Sequence, residues 1–184
     1  RDSLSLTGAG ILGAASAGTQ TITNNNTLVI ADGTGSASNY TLNGASINVT
    51  VIPKTLNVTL AREYDGTTTV AGALLTPTFD SLQGGETLAI LGTGSVANAN
   101  VGSSKAVTLG TIALAAGSGN PSNYSLNSVL LDVTQRVINL DGIRAYDATT
   151  NVLSSDINTF GNIVSGETLT TVSYTHLRAH ETHN

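Results

Sequence analysis

The sequence repeats itself, and that constrains its fold more than any single motif. Shifting the 184-residue chain on itself by 84 positions brings Leu4 onto Leu88, Gly8 and Gly10 onto Gly92 and Gly94, Gly18 onto Gly102, and Gly33 and Gly35 onto Gly117 and Gly119. The same shift lays Asn39-Tyr40-Thr41-Leu42-Asn43 on Asn123-Tyr124-Ser125-Leu126-Asn127. A shift of 82 then aligns Asn57 with Asn139, Arg62 with Arg144, Tyr64-Asp65 with Tyr146-Asp147 and Thr67-Thr68 with Thr149-Thr150. A shift of 81 aligns Phe79 with Phe160 and Gly85-Glu86-Thr87-Leu88 with Gly166-Glu167-Thr168-Leu169. A fixed long period means that one supersecondary unit is copied along the chain. Residues 1–53 read as the C-terminal part of a first repeat, 54–135 as a complete repeat, and 136–172 as the N-terminal part of a third. A unit of about 82 to 84 residues can bury a small core of its own, so beads on a string are expected rather than solenoid turns. With Arg1 in place of Met and both ends falling inside a unit, the sequence reads as a fragment.

The units are expected to be all-β. Leu, Val and Ile alternate with Thr, Asn and Ser in Ile47-Asn48-Val49-Thr50-Val51, in Leu56-Asn57-Val58-Thr59-Leu60 and in Ala106-Val107-Thr108-Leu109, a period of two that gives a strand one buried face. No segment keeps a helical apolar period over three turns, and β-branched residues are frequent. The repeated Gly pairs mark turns, and Asp65-Gly66 reads as a turn ending a strand. Ala148 stands where the second copy has Gly66, so a positive φ is not expected to be a strict need at that position. The Tyr and Phe positions are the expected core anchors.

Composition removes several chemistries. There is no Cys, hence no disulfide framework, thiol nucleophile or thiolate metal site. Seven Lys plus Arg against twelve Asp plus Glu give a net charge of -5, which argues against nucleic acid as a partner. No apolar run is long enough to insert in a membrane. All three histidines lie in the last nine residues, so the rest of the chain lacks Ser-His-Asp and histidine-metal chemistry. Glu86 and Glu167 share a repeat position beside Gly pairs and read as turn residues, not as an acid pair. Asp65, Asp80 and Asp132 are isolated, with no calcium-loop spacing. A Lys–Asn isopeptide link is disfavoured, because Lys54 aligns with Arg136 and Lys105 with Thr21. Arg62 and Arg144 lie two residues before a Tyr, placing each on its tyrosine's strand face for a salt bridge or Arg–Tyr stacking. No catalytic, cofactor-binding or metal-binding residue is assigned, no cofactor is expected, and the chain reads as a non-enzyme.

The ordered series Arg62-Glu63-Tyr64-Asp65-Gly66-Thr67-Thr68-Thr69, Gly84-Gly85-Glu86-Thr87-Leu88, Gly92-Thr93-Gly94, Asn100-Val101-Gly102, Lys105-Ala106-Val107 and Asn123-Tyr124-Ser125-Leu126 resembles the YDG-type repeat of large bacterial surface proteins. Those proteins are similar to filamentous haemagglutinins, secreted or tethered at the outer membrane. The resemblance implies tandem small β-domains, immunoglobulin-like sandwich or β-grasp-like. A grasp would need one helix, for which Phe79-Asp80-Ser81-Leu82-Gln83 is the candidate, and the sandwich is slightly favoured. It also implies an extracellular location and a stalk segment of an adhesin that contributes to cell adhesion. The alternative is that the repeats themselves bind host glycans, matrix proteins or sister chains.

Beyond Leu169 the repeat register is lost. Residues 173–184 carry His176, His180 and His183, which on a helix would share one face and could hold a metal. Ser173 to Thr182 resembles instead one reading frame of a transposase-based sequencing-library adapter, and residues 173–184 read as a non-native tail.

Overall fold

The computed structural model describes residues 2–42 and 47–171. The tail 173–184, with its three histidines, and Val172 at the end of the third repeat lie outside the described residues. Fifteen strands and four single-turn 3-10 helices occur among the described residues, and there is no α-helix. The all-β class expected from the alternation is therefore what the chain adopts. In the first copy lie β1 (Leu4–Thr7), β2 (Ile11–Leu12), β3 (Gly18–Asn24), β4 (Val29–Asp32) and β5 (Asn48–Val51). The second holds β6 (Lys54–Glu63), β7 (Thr69–Ala71), β8 (Thr78–Phe79), β9 (Leu88–Leu91), β10 (Thr93–Ser95), β11 (Gly102–Ala106), β12 (Ala113–Ala116) and β13 (Tyr124–Thr134). The third has β14 (Asn139–Gly142) and β15 (Ile157–Gly161).

The second copy is built on one four-stranded sheet of order β11-β13-β6-β8. Its two long central strands run parallel, from Tyr124 beside Lys54 to Thr134 beside Glu63, while β11 and β8 flank them antiparallel. Two antiparallel ladders, β9 with β12 and β7 with β10, complete the unit. An immunoglobulin sandwich has antiparallel sheets. The parallel centre departs from an all-antiparallel sandwich, and Phe79–Gln83 forms the end of β8 and a bend rather than the helix a grasp would need.

Alternation on β6 puts Leu56, Val58 and Leu60 in the interior, each at most 1% exposed. On β13 the parity changes partway: Tyr124 is buried near the start, then Val129, Leu131 and Val133. The switch comes from a bulge between Leu126 and Ser128, where β13 spends one extra residue against β6. Asn57 pins that bulge. Its Oδ1 accepts hydrogen bonds from Asn127 Nδ2 and Ser128 Oγ, both at 2.9 Å. On its other side its Nδ2 donates to Asp80 Oδ2 at 2.7 Å and its backbone N–H to Asp80 Oδ1 at 3.1 Å. These bonds hold the Asp80 carboxyl below the ordinary aspartate range, the Asn57 side-chain bond first.

The core has a main cluster around Val58, Leu60, Val70, Ile90, Val129 and Leu131, and a smaller one of Leu56, Leu88 and Tyr124; Phe79 packs on both. Among the described residues no polar or charged residue is buried. The repeat is also geometric. Leu4 pairs with Asp32 as Leu88 pairs with Ala116, and Leu140 faces Phe160 as Val58 faces Phe79. Gly8 and Gly92 both have φ +87, and a Cβ on either would lie 1.9 to 2.0 Å from a threonine carbonyl, Thr27 O or Thr111 O. Only glycine fits there, which is why it recurs.

Two aromatic positions depart from the expectation of core anchors: Tyr40 is 61% exposed and Tyr146 93% exposed. Of the residues beside their counterparts, Leu56 over Tyr124 and Val164 beside the Tyr64 turn come from another part of the repeat or from the next one.

Leu131→Ala, at a site with 0% exposure, is expected to lower unfolding free energy by about 2–5 kcal/mol in urea melts. Leu140→Ala, at 53% exposure, is expected to cost well under about 1 kcal/mol. A carboxyl whose folded pKa is depressed stabilises above its unfolded value and loses that contribution as pH falls through the folded value. Thermal melts below about pH 4 should therefore fall less steeply with pH in Asp80→Asn than in the parent chain.

Candidate functional site

The Tyr-Asp-Gly segment is the loop between β6 and β7, and Arg62 organises it. The Arg62 side chain is 9% exposed and forms an ion pair with Asp65 Oδ2 at 3.0 Å. Its Nη1 donates to Thr69 O at 2.6 Å and to Thr67 Oγ1 at 3.2 Å, and its Nη2 donates to Thr67 O. Asp65 Oδ1 accepts from the Thr67 backbone N–H and hydroxyl at 2.9 and 3.0 Å, an Asx turn. A planar cation with five donors suits such a loop, since it bonds several carbonyls at once. The Nε of Arg62 is buried and makes no hydrogen bond.

The third copy repeats this geometry. Arg144 pairs with Asp147 at 3.2 Å and donates to Thr149 Oγ1 and Thr149 O, while Asp147 Oδ1 accepts from the Thr149 backbone at 3.0 Å. The Thr149 backbone bond heads the causes that hold the Asp147 carboxyl low. Of the two uses expected for these arginines, the salt bridge is made. Its partner is the aspartate three residues on, which strand parity alone does not single out because the chain turns after the tyrosine.

Tyrosine then joins one repeat to the next. Tyr64 Oη donates to Glu167 Oε1 of the third copy, and Tyr124 Oη donates to Glu86 Oε2 within the second. Each phenol is pushed above its ordinary pKa, mainly by that hydrogen bond, because ionising it would set two anions together. Arg136 seals the same junction: Nε and Nη2 donate to Asn162 O and Asn162 Oδ1, both at 2.7 Å, Nη1 reaches Tyr64 O at 3.4 Å, and Glu63 lies 3.7 Å away. Beside these groups is a cleft of about 670 Å³, whose apolar walls include Val101, Val137 and Leu169. Glu86 and Glu167, expected to be turn residues, follow turns but spend their carboxylates on tyrosines. Their shared repeat position was the available signal.

The remaining carboxylates are engaged separately. Asp65 serves Arg62, Asp80 serves Asn57, and Asp132 Oδ1 accepts from the Ser104 backbone at 2.6 Å, so the fold does not bring the three together. Lys105 Nζ donates to Asn98 Oδ1 at 2.7 Å and to Asn100 O at 2.8 Å.

Gly66 has φ +75, and a Cβ there would come 2.8 Å from Val164 Cγ1 across the junction. Ala148, its counterpart, has φ +58. The positive φ, not expected to be a strict need where Ala148 stands, is kept in both copies: the turn is left-handed in each, and the third bears the strain of a Cβ. Gly66→Ala is expected to cost about 1–2 kcal/mol and Ala148→Gly to gain about 1 kcal/mol in urea melts.

The family model described as the YDG domain matches residues 52–130. No curated protein and no solved structure matches the chain significantly. The matched stretch contains the Arg62 loop, the Glu86–Tyr124 bond and most of the parallel pair. Residues 52–130 are a YDG domain.

Proposed function

We propose that the chain is a spacer segment of a bacterial surface adhesin similar to filamentous haemagglutinin. In this reading its units stand in series outside the cell and hold an adhesive region away from the surface. The observation that carries it is the junction between the second and third copies. Only residues 135–138 separate β13 from β14, and across that gap Tyr64 bonds Glu167 while Arg136 reaches Tyr64 O and Glu63. Between β5 and β6 the spacing is Ile52-Pro53 alone, and the Ala17 backbone N–H donates to Asn123 Oδ1 at 2.9 Å from one copy to the next. Short bonded connections resist collapse of one unit onto another, which a stalk requires and a loose tether does not. The reading gives the chain no catalytic role.

The cleft beside Tyr64 favours a second reading, in which the junction itself takes a ligand. Its volume falls within the range of small-ligand sites, and Tyr64, Arg136, Asn162 and Glu167 offer the aromatic and polar groups that a glycan would use.

Small-angle scattering separates spacer from compact assembly: maximum dimension should rise by a constant increment for each repeat added, and no increase would overturn the spacer reading. The same proteins, displayed as arrays against glycans and matrix proteins, should bind none of them. Saturable binding lost in Tyr64→Ala would favour the junction as the adhesive element.

A further inference from the structure

Glu86 and Glu167 occupy one repeat position but were found doing different things. Glu86 accepts the hydroxyl of its own unit's Tyr124, whereas Glu167 accepts that of Tyr64 from the unit before it. A carboxylate has two oxygens and room for both. The surroundings of Glu86 and Glu167 correspond at several repeat positions. A cleft of about 330 Å³ lined by Ala17, Lys54, Gln83, Glu86 and Tyr124 stands between the first and second copies. By the repeat shifts Ala17 corresponds to Val101, Lys54 to Arg136, Gln83 to Val164 and Glu86 to Glu167, all of which line the cleft at the second junction. At the second junction, Tyr64 bonds the carboxylate, Gly66 lies against Val164, and Arg136 faces Tyr64 O and Glu63. At the first, among the described residues, Glu86 Oε1 accepts no hydrogen bond and Lys54 Nζ makes neither a hydrogen bond nor an ion pair.

We propose that this cleft is a docking site for the Tyr-Asp-Gly turn of an adjoining repeat, whose tyrosine hydroxyl donates to Glu86 Oε1 while Tyr124 holds Oε2. The glutamate is then a two-sided clasp, bonding one tyrosine of its own unit and one of its neighbour. Lys54 takes the place of Arg136, its ammonium facing the acidic residue that precedes the incoming tyrosine. The occupant is set by the seated example at the second junction, and it would be the same whether the array is a spacer or itself adhesive.

The test uses the intact 184-residue chain, isotope-labelled, titrated with a synthetic peptide of the sequence of residues 61–69. Amide shifts are expected at Ala17, Gln83, Glu86 and Tyr124, with affinity falling about tenfold when the peptide tyrosine is replaced by phenylalanine, the worth of one charge-assisted hydrogen bond. Glu86→Gln should lose the distinction between the two peptides. A second arm places a copy of residues 54–87 ahead of residue 4, so that the first unit carries its own turn. There the added tyrosine→Phe and Glu86→Gln changes should be non-additive in urea melts. Equal shifts with both peptides, shifts elsewhere only, or strict additivity in the extended chain would each overturn the proposal.

Discussion

The central unit depends on the parallel ladder between its first and last strands. It joins residues some seventy positions apart, from Lys54 beside Tyr124 to Glu63 beside Thr134. The loops and shorter ladders of the unit are threaded between those two strands. Parallel pairing of this kind is slow to find, because the intervening chain must be closed before any bond is made. Its register also has to survive a bulge that changes which residues of β13 face inward. A slip of one residue would send Val129, Leu131 and Val133 to the outer face. Asn57 prevents it locally, with donors committed to Asp80 and its acceptor to Asn127 and Ser128.

From that ladder the rest follows outward. β6 runs directly into the Arg62 loop, so fixing the strand fixes the guanidinium that bonds the loop's carbonyls, and with it the Tyr64 ring. β13 starts with Tyr124 and ends beside Arg136, so the same strand holds one tyrosine–glutamate contact at its start and leads into the next junction at its end. The inter-repeat bonds are therefore extensions of the ladder rather than separate attachments.

Much of this was legible in the sequence. The repeat shifts carry over to strand pairing, as the matched pairs Leu4–Asp32 and Leu88–Ala116 show, and alternation around Leu56, Val58 and Leu60 gives the buried face of β6 directly. Glycines 8 and 92 recur because a threonine carbonyl closes on both. What was not legible depends on contacts between distant segments. The parity change on β13 needs knowledge of its partner strand, and the exposure of Tyr40 and Tyr146 depends on covering residues far along the chain. Glu86 and Glu167 looked like turn residues because their tyrosine partners lie 38 and 103 positions away. Ala148 misled because a rule favouring glycine at positive φ is a preference of about 1–2 kcal/mol, which a repeated hydrogen-bonded loop can outweigh.

The parallel sense of β6 and β13 has a mechanical consequence. Because both run the same way, chain enters the unit at one end of the ladder and leaves at the other. Tension applied along the array therefore pulls the two strands past each other lengthwise, loading their hydrogen bonds together in shear. An antiparallel closing pair entered and left from the same end would open one bond at a time, like a zipper. Flow or a tethered load thus acts on this domain in the direction in which its central ladder is hardest to break.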